Sequence, residues 1–418
     1  MTARTLHCGL GLLCLSLCAE PAQAQLRNLI PGLYGGDGIT LARGGGTGTG
    51  TGGGTGGGGG GGGGAGCGTV PDHRAHFTVQ SAESINQLND NIAAQVAIFP
   101  FSSISSGFSF AFNSDLGTFL KTTESLGPIF AERPRTVGKG KFNVNLSYTT
   151  FKYDKFEGKS LNNLEAPALH DADSLPPLDR RTCFELDELA LNFDIDIRAN
   201  ILALTSTFGV TDNFDIGILI PYVNVRAKVK SHAELRISPN NPTPGEHRFG
   251  TEGPDDEASG KAWGLGDILL QAKYHWYKSD THNLAAAVLV KTATGDKKDF
   301  LGTGDTTVRP YLIYATSFGN FSPHVNLGYK FNLKDSRKSA IEYVAGFDYG
   351  RDNYTIAVDV FGYRQRSDGI GDNIINGSLG IKWRTANDYI LSANVLVPLN
   401  DSGLRSNLIS TVAVERSF

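Results

Sequence analysis

From Lys141 to Phe418 the chain alternates apolar and polar residues in runs of ten or more, and this pattern limits the fold most. "FNVNLSYTTF" sets Phe142, Val144, Leu146 and Tyr148 against Asn143, Asn145, Ser147 and Thr149. "FSPHVNLGYKFNL" sets Phe321, Pro323, Val325, Leu327, Tyr329 and Phe331 against Ser322, His324, Asn326, Gly328, Lys330 and Asn332. "IINGSLGIKWR" and "YILSANVLVP" repeat the pattern. A period of two is a strand with two unlike faces. Strands in globular proteins run about 5–6 residues, whereas tilted membrane strands need about 9–11. No apolar run reaches the roughly 18 residues of a spanning helix. The expected class is all-β, a transmembrane antiparallel barrel.

The connections sharpen that expectation. Read backwards from Phe418, they alternate long and short: "LNDSG" then "TAND", "RQRSDGIGDN" then "GRDN", "KDSRKSA" then "FGNF", "TGDKKDFLGTGD" then "KSDTH". The segment 231–262 is very long, "TDN" (211–213) short, and 154–185 very long again. Outer-membrane barrels have short periplasmic turns and longer outside loops, and both chain ends lie on the short-turn side. The count is twelve strands over 141–418, or fourteen if a hairpin at 107–123 joins the wall. We read that hairpin as internal.

Aromatics give a second, independent signal. Phe208 and Phe214, Trp276 and Tyr277, Phe318 and Phe321, Tyr349 and Tyr354, and Trp383 and Tyr389 flank the short turns. Amphipathic rings favour the membrane–water boundary, so these should form one girdle. Phe418 falls on its level and is the expected assembly signal, sharing an outward face with Val412 and Val414. Arg416 departs from the apolar pattern and is expected to snorkel to water. "ELDELALNFDIDIRANILALTSTFGVT" exceeds one crossing, with an unclear phase near Ala199, so a strand protruding beyond the membrane is expected. Pro221 suggests a bulge, because proline cannot complete the ladder.

The N-terminal part reads differently. Residues 1–24 carry Arg4, an apolar core from Leu10 to Leu17 and Ala22-Gln23-Ala24, a secretory signal cleaved near Gln25. Residues 25–70 form a Gly-rich tether, since the tract at 44–66 can bury almost no apolar surface. Residues 71–140 are a candidate plug. In it "SAESINQLNDNIAAQVA" fits a helix capped by Ser81, with Ile85, Leu88, Ile92 and Val96 on one face. The cysteines left after cleavage, Cys67 and Cys183, could form a disulfide. Two cysteines are too few for a structural zinc site, and the acidic stretches lack calcium-loop spacing. No metal or cofactor is expected. A net charge of −4 does not suggest a nucleic-acid partner.

Several stretches resemble one bacterial family: "ESLGPIFAERPRTVGKGKFNVNLSYTTFKYDKFEGKSL" (124–161), "FGVTDNFDIGILIPYV" (208–223), "GLGDILLQAKY" (264–274), "GDKKDFLGTGDTTVRPYL" (295–312) and "FSPHVNLGY" (321–329). The family is the MetA-pathway phenol-degradation group of outer-membrane proteins. The resemblance implies an outer-membrane barrel that passes small hydrophobic or aromatic compounds. It implies no catalytic residues.

With that phase, the lumen face would hold Gln271, Lys273, His275, Lys291, Arg309, Tyr311, His324, Lys330, Glu342, Asp348, Asp359, Lys382 and Arg384. Charges of both signs inside a narrow lumen must find partners or water. They are either a selectivity path or an ion-pair network that packs a plugged barrel. The expected function is a monomeric channel or transporter for small solutes, with outer-membrane lipid and the barrel assembly machinery as further partners. An adhesive barrel acting through the loops at 154–185 and 229–265 is the alternative. A lipid hydrolase would need a His-activated serine, and no histidine has the His-x-Ser spacing on one strand face.

Overall fold

The computed structural model describes residues 25–30, 79–104, 110–113, 118–121, 125–169, 188–236, 256–279, 281–351 and 353–418. Helix α1 spans Val79–Val96. Among the described residues β1 (Phe110–Asn113) and β2 (Thr118–Lys121) pair only with each other. The wall begins at β3 (Phe142–Tyr153), and the short β4 (Lys155–Phe156) and β5 (Lys159–Ser160) lead to β6 (Asn162–Leu169). Then come β7 (Glu188–Gly209), β8 (Phe214–Arg236), β9 (Asp256–Leu265), β10 (Leu269–Lys278), β11 (His282–Lys291) and β12 (Thr307–Thr316). The last are β13 (Phe321–Asn332), β14 (Ala340–Arg351), β15 (Tyr354–Gln365), β16 (Asn373–Arg384), β17 (Tyr389–Pro398), the short β18 (Leu404–Arg405) and β19 (Ile409–Ser417).

Twelve strands close a ring of antiparallel ladders. The order is β7-β3-β19-β17-β16-β15-β14-β13-β12-β11-β10-β8, and β8 returns to β7. The hairpin stays out of the wall, so the count is twelve. β19 pairs with β3, and the first and last wall strands meet at the short-turn end, where Phe142 and Phe418 exchange both backbone hydrogen bonds and stack at 4.6 Å. All the girdle aromatics except Phe214, which is half-buried, face outward and are exposed. Above them the outer face carries Leu146, Leu202, Ile216, Leu327, Leu379 and Val395, as an acyl-chain environment requires.

The long strand needs no phase change. In β7 the odd residues from Leu191 to Thr207 are all buried. What inverts is polarity. Below the level of Leu202 the outer face is apolar apart from Ser206 (Leu202, Leu204, Phe208) and the inner face is Ala203, Thr205 and Thr207. Above it the outer face is Asn200, Arg198, Asp196 and Asp194, and the inner face is Ile201, Ile197, Ile195 and Phe193. β8 inverts between Tyr222 and Asn224, which pair with Leu202 and Asn200. β3 inverts between Tyr148 and Thr150, which pair with the same two residues. Asn200 Oδ1 accepts from Tyr148 Oη and Thr150 Oγ1, both at 2.9 Å. Three neighbouring strands therefore change solvent at one plane, the bilayer surface on the long-loop side. The 22 residues of β7 span roughly 70 Å at about 3.3 Å each, so the β7–β8 hairpin rises well clear of that plane.

Three local expectations are corrected. No bulge occurs at Pro221, since β7 and β8 pair without a register shift from Glu188 to Gly209. In an antiparallel ladder a residue's N and O point to the same side. Pro221 O accepts from Gly266 N at 2.9 Å, so its missing N–H faces the interruption between β9 and β10, where nothing is lost. The two very long loops are also partly strand: β6 and β9 extend the risen hairpin into a four-stranded sheet. Finally, Ser81 lies inside α1 and is not its cap.

That sheet has its own core at the long-loop end. Leu191, Phe193, Ile195, Val223, Val225 and Val229 pack with Phe151, Phe156, Leu161 and Leu164. Ile92, Ala93 and Val96 of α1 join this core, with Leu88 partly buried on it, as do Leu26, Leu29 and Ile30. Tyr153 Oη donates to Val96 O at 3.0 Å, and Arg27 pairs with Asp90 at 2.6 Å. The result is an apolar dome over one mouth of the barrel. The expected signal peptide, the glycine tract, Ile85, Cys67 and Cys183 lie outside the residues whose placement or side chains are described.

Candidate functional site

Below the dome, residues 97–104 descend into the barrel and residues 125–137 cross it. Two wall glycines make room for this chain. A Cβ on Gly217 would stand 2.5 Å from Ile104 Cγ2, and one on Gly380 would collide with Ile129 Cδ1. Ile104 N donates to Glu132 Oε1 at 2.8 Å, Ser103 N to Ile129 O at 2.8 Å, and Thr207 Oγ1 to Ile104 O at 2.7 Å.

The lower lumen then binds the crossing segment group by group. Lys273 and Asp215, each 1 % exposed, stand 3.6 Å apart. Lys273 Nζ donates to Arg133 O at 3.0 Å and Arg135 O at 2.8 Å, and Asp215 accepts from Val137 N at 3.1 Å. Thr136 Oγ1 donates to Asp212 O at 2.5 Å. On the opposite wall Ser125 bonds Asp348, Leu126 N donates to Thr355 Oγ1 at 2.8 Å, and Phe130 N to Asp359 Oδ2 at 3.1 Å. His324 lies between the carboxylates, 2.6 Å from Asp359 and 3.4 Å from Asp348. Lys382 Nζ reaches Leu126 O at 3.4 Å. Buried polar groups are thus matched to the backbone of the inserted chain, which is what a stable seal needs.

Above the seal lies a cavity of about 670 Å³, within the usual range for a small-molecule site. Its apolar wall includes Phe99, Phe101, Ile104, Phe130, Leu289 and Phe361, with Phe130 and Phe361 stacked at 4.6 Å. A charged belt crosses it. Glu342 pairs with Arg309 at 2.6 Å and Lys330 at 3.1 Å. Lys330 Nζ sits 4.5 Å over Tyr363, and Arg309 5.0 Å over Tyr311, whose hydroxyl bonds Gln271. Arg405 of β18 is buried and donates to Ile375 O and Asn376 Oδ1, both at 2.7 Å.

At the long-loop rim Lys291 Nζ bonds Asp267 at 2.9 Å, Thr303, and Asp305 O at 3.1 Å. Burial alone would raise the Asp305 carboxyl, but the Asn332 bond and the nearby Lys338 and Lys334 outweigh it and hold it below its ordinary value.

The thirteen residues picked from the sequence therefore sit in different places. Lys273, Asp348, Asp359 and Lys382 meet the inserted chain, His324 holds the two carboxylates from the wall, and Gln271 is buried against Tyr311 above them. Arg309, Tyr311, Lys330 and Glu342 line the cavity, and Lys291 lies at its rim. His275 is buried near the short turns, 2 % exposed. Arg384 ends its strand at the short-turn rim and bonds Asn353 Oδ1 at 3.1 Å. Sequence reasoning missed Phe361 and Tyr363, although both share the inward phase of Asp359. It also missed Arg405, which lies in a loop with no periodic signal, and, although it expected a plug over 71–140, it named none of the residues in 97–137 that meet the wall.

A closed twelve-stranded wall, an apolar outer band and a lumen filled by the chain's own N-terminal part define a membrane β-barrel of the outer-membrane type. The chain belongs to the family described as "Putative MetA-pathway of phenol degradation", whose model matches residues 185–403, more than half of it. Solved structures are similar at low identity. One is an outer membrane channel from Pseudomonas putida F1, at 13% identity, covering 68% of this chain and 97% of that one, with a TM-score of 0.42. Another is the toluene transporter TbuX of Ralstonia pickettii, at 12% identity, 67% and 90% coverage and a TM-score of 0.34. A FadL homologue of Pseudomonas aeruginosa shows 12% identity, 66% and 89% coverage and a TM-score of 0.31. No curated protein sequence matches the chain. The fold assignment rests on the ladder itself.

Proposed function

We propose that this protein is a monomeric channel of the bacterial outer membrane that carries small hydrophobic or aromatic compounds. Residues 71–140 act as its plug, the first 24 residues are removed on export, and the assembly machinery reads the last strand and Phe418. The observation that carries the reading is the cavity, an aromatic-walled space held between an apolar dome and a polar seal. A water-filled pore for ions would have no use for Phe99, Phe101, Phe130 and Phe361 in its path. The family's phenol-degradation label supports an aromatic solute. Arg416, the departure in the final strand, fits the role of an outward girdle residue. It donates to Tyr389 Oη at 2.8 Å and lies 4.7 Å over Tyr389 and 5.1 Å over Phe418.

The test is uptake. Cells with intact lipopolysaccharide that express the full chain should accumulate radiolabelled naphthalene several-fold faster than cells without it. No gain for any aromatic compound, together with no planar-bilayer conductance with or without residues 25–140, would sink the proposal.

A further inference from the structure

The cavity's charged belt is unbalanced in a way that the transport of plain hydrocarbons does not explain. Around the aromatic floor Arg309, Lys330 and Arg405 face Glu342 and, beneath them, Glu132, whereas the charges nearer the rim balance, with Lys291, Lys297, Arg337 and Lys338 against Asp267, Asp305, Asp335 and Asp368. Glu342 is shared by Arg309 and Lys330. Arg405, 5 % exposed, has no carboxylate within ion-pair distance among the described residues, and its two bonds go to a backbone carbonyl and an amide oxygen. The Nε–H groups of Arg405 and Arg309 are both buried and have no hydrogen-bond partner among the described residues. A buried donor left unsatisfied is costly, and a guanidinium gains most from a carboxylate, which can meet it with two parallel bonds. Immediately below, the wall turns aromatic at Phe130, Phe361 and Phe101.

An excess of cation beside unpaired guanidinium donors, facing an aromatic floor, is complementary to one kind of solute. We infer that the cavity selects an amphipathic aromatic anion, an aryl carboxylate, with its carboxylate at the Arg405–Arg309 belt and its ring against Phe130 and Phe361. This rests on the channel reading above and names the substrate class within it. The belt distinguishes the anion from a neutral ring of the same size, whereas the aromatic floor accepts both.

The experiment compares 2-naphthoate, 2-naphthamide and naphthalene on the purified full-length barrel in a neutral maltoside detergent, by titration calorimetry. 2-Naphthoate should bind at least tenfold tighter than 2-naphthamide, as expected when a charge-assisted bond replaces a neutral one. In Arg405→Gln the ratio of the two affinities should fall toward one. Acidifying until 2-naphthoate is protonated should lower the ratio in the wild-type protein, a check that needs no variant. Equal affinities in the wild type, or an undiminished ratio in a correctly folded Arg405→Gln barrel, overturn the inference. If naphthalene and 2-naphthamide bind while 2-naphthoate binds no tighter, the channel reading stands and only the anion selectivity falls. If none of the three binds, both fall.

Discussion

Replacing Asp215 with asparagine strikes the seal at its most buried ion pair. Asp215 and Lys273 are each 1 % exposed and 3.6 Å apart. Asparagine keeps the size and leaves an acceptor for Val137 N, but it removes the charge that compensates Lys273. Stranding one partner of a buried pair costs about 3–5 kcal/mol. The wall around the pair is held by ladders on both sides of β8 and β10, while the inserted segment is held by individual bonds. The strain should therefore be relieved by releasing residues 133–137, which lets water reach Lys273. At about 1.4 kcal/mol per tenfold, 3 kcal/mol raises the population of the released state on the order of 100-fold. Two assays read it. Planar-bilayer recordings should show more frequent and longer openings than wild type. Limited trypsin digestion of the folded barrel should cut after Arg135 at a correspondingly faster rate, while the bond after Arg133 stays closed to trypsin because Pro134 follows it. The double variant Asp215→Leu with Lys273→Met removes the stranded charge, so it should recover global stability. It should stay open, because the bonds from Lys273 Nζ to Arg133 O and Arg135 O are gone. A folded Asp215→Asn barrel with wild-type conductance and trypsin resistance refutes the seal.

Other outcomes test other levels of the argument. Leu327→Arg, on the lipid-facing wall, should lower folding stability in liposomes by about 2–4 kcal/mol, whereas Asp194→Arg on the risen part of β7 should change it by less than about 0.5 kcal/mol; similar costs at both sites would misplace the bilayer plane. Gly380→Val should drive Ile129 from the wall and raise conductance in a barrel that remains heat-modifiable on gels, since its Cβ has no space beside Ile129 and Asn394. Asp305 titrates below its ordinary value of 3.8 in the folded protein, so the stability it contributes is present above that value and lost as pH falls through the folded one. Hydrogen-exchange protection at the long-loop rim, residues 332–340, should accordingly drop below about pH 4, and Asp305→Asn should remove that dependence. Phe142→Ala should weaken the seam between first and last strands by about 0.5–1.5 kcal/mol beyond its area loss, read as a lower dissociation temperature of the folded band on gels.

The barrel wall was legible in the sequence because a bilayer reads residues one at a time. Each outward position meets acyl chains regardless of its neighbours, so Leu327, Leu379 and Val395 declare the strand phase locally. Turn length and the girdle from Phe208 to Phe418 declare its direction. The inversion at Leu202 and Tyr222 was also in the sequence, yet it reads as a lost phase or a bulge until three strands are aligned and the polarity changes at one plane. That residues 71–140 could plug the barrel was legible; which of them meet which wall residues was not. Ser125 and Asp348 are 223 positions apart, and Leu126 and Lys382 are 256 apart. An inward charge can pair with any segment that happens to enter the lumen, and no period records which. Arg405 shows the limit most clearly: its sequence context is that of a surface loop, and only closure of the ring and the dome turned it into a buried cation facing an aromatic cavity.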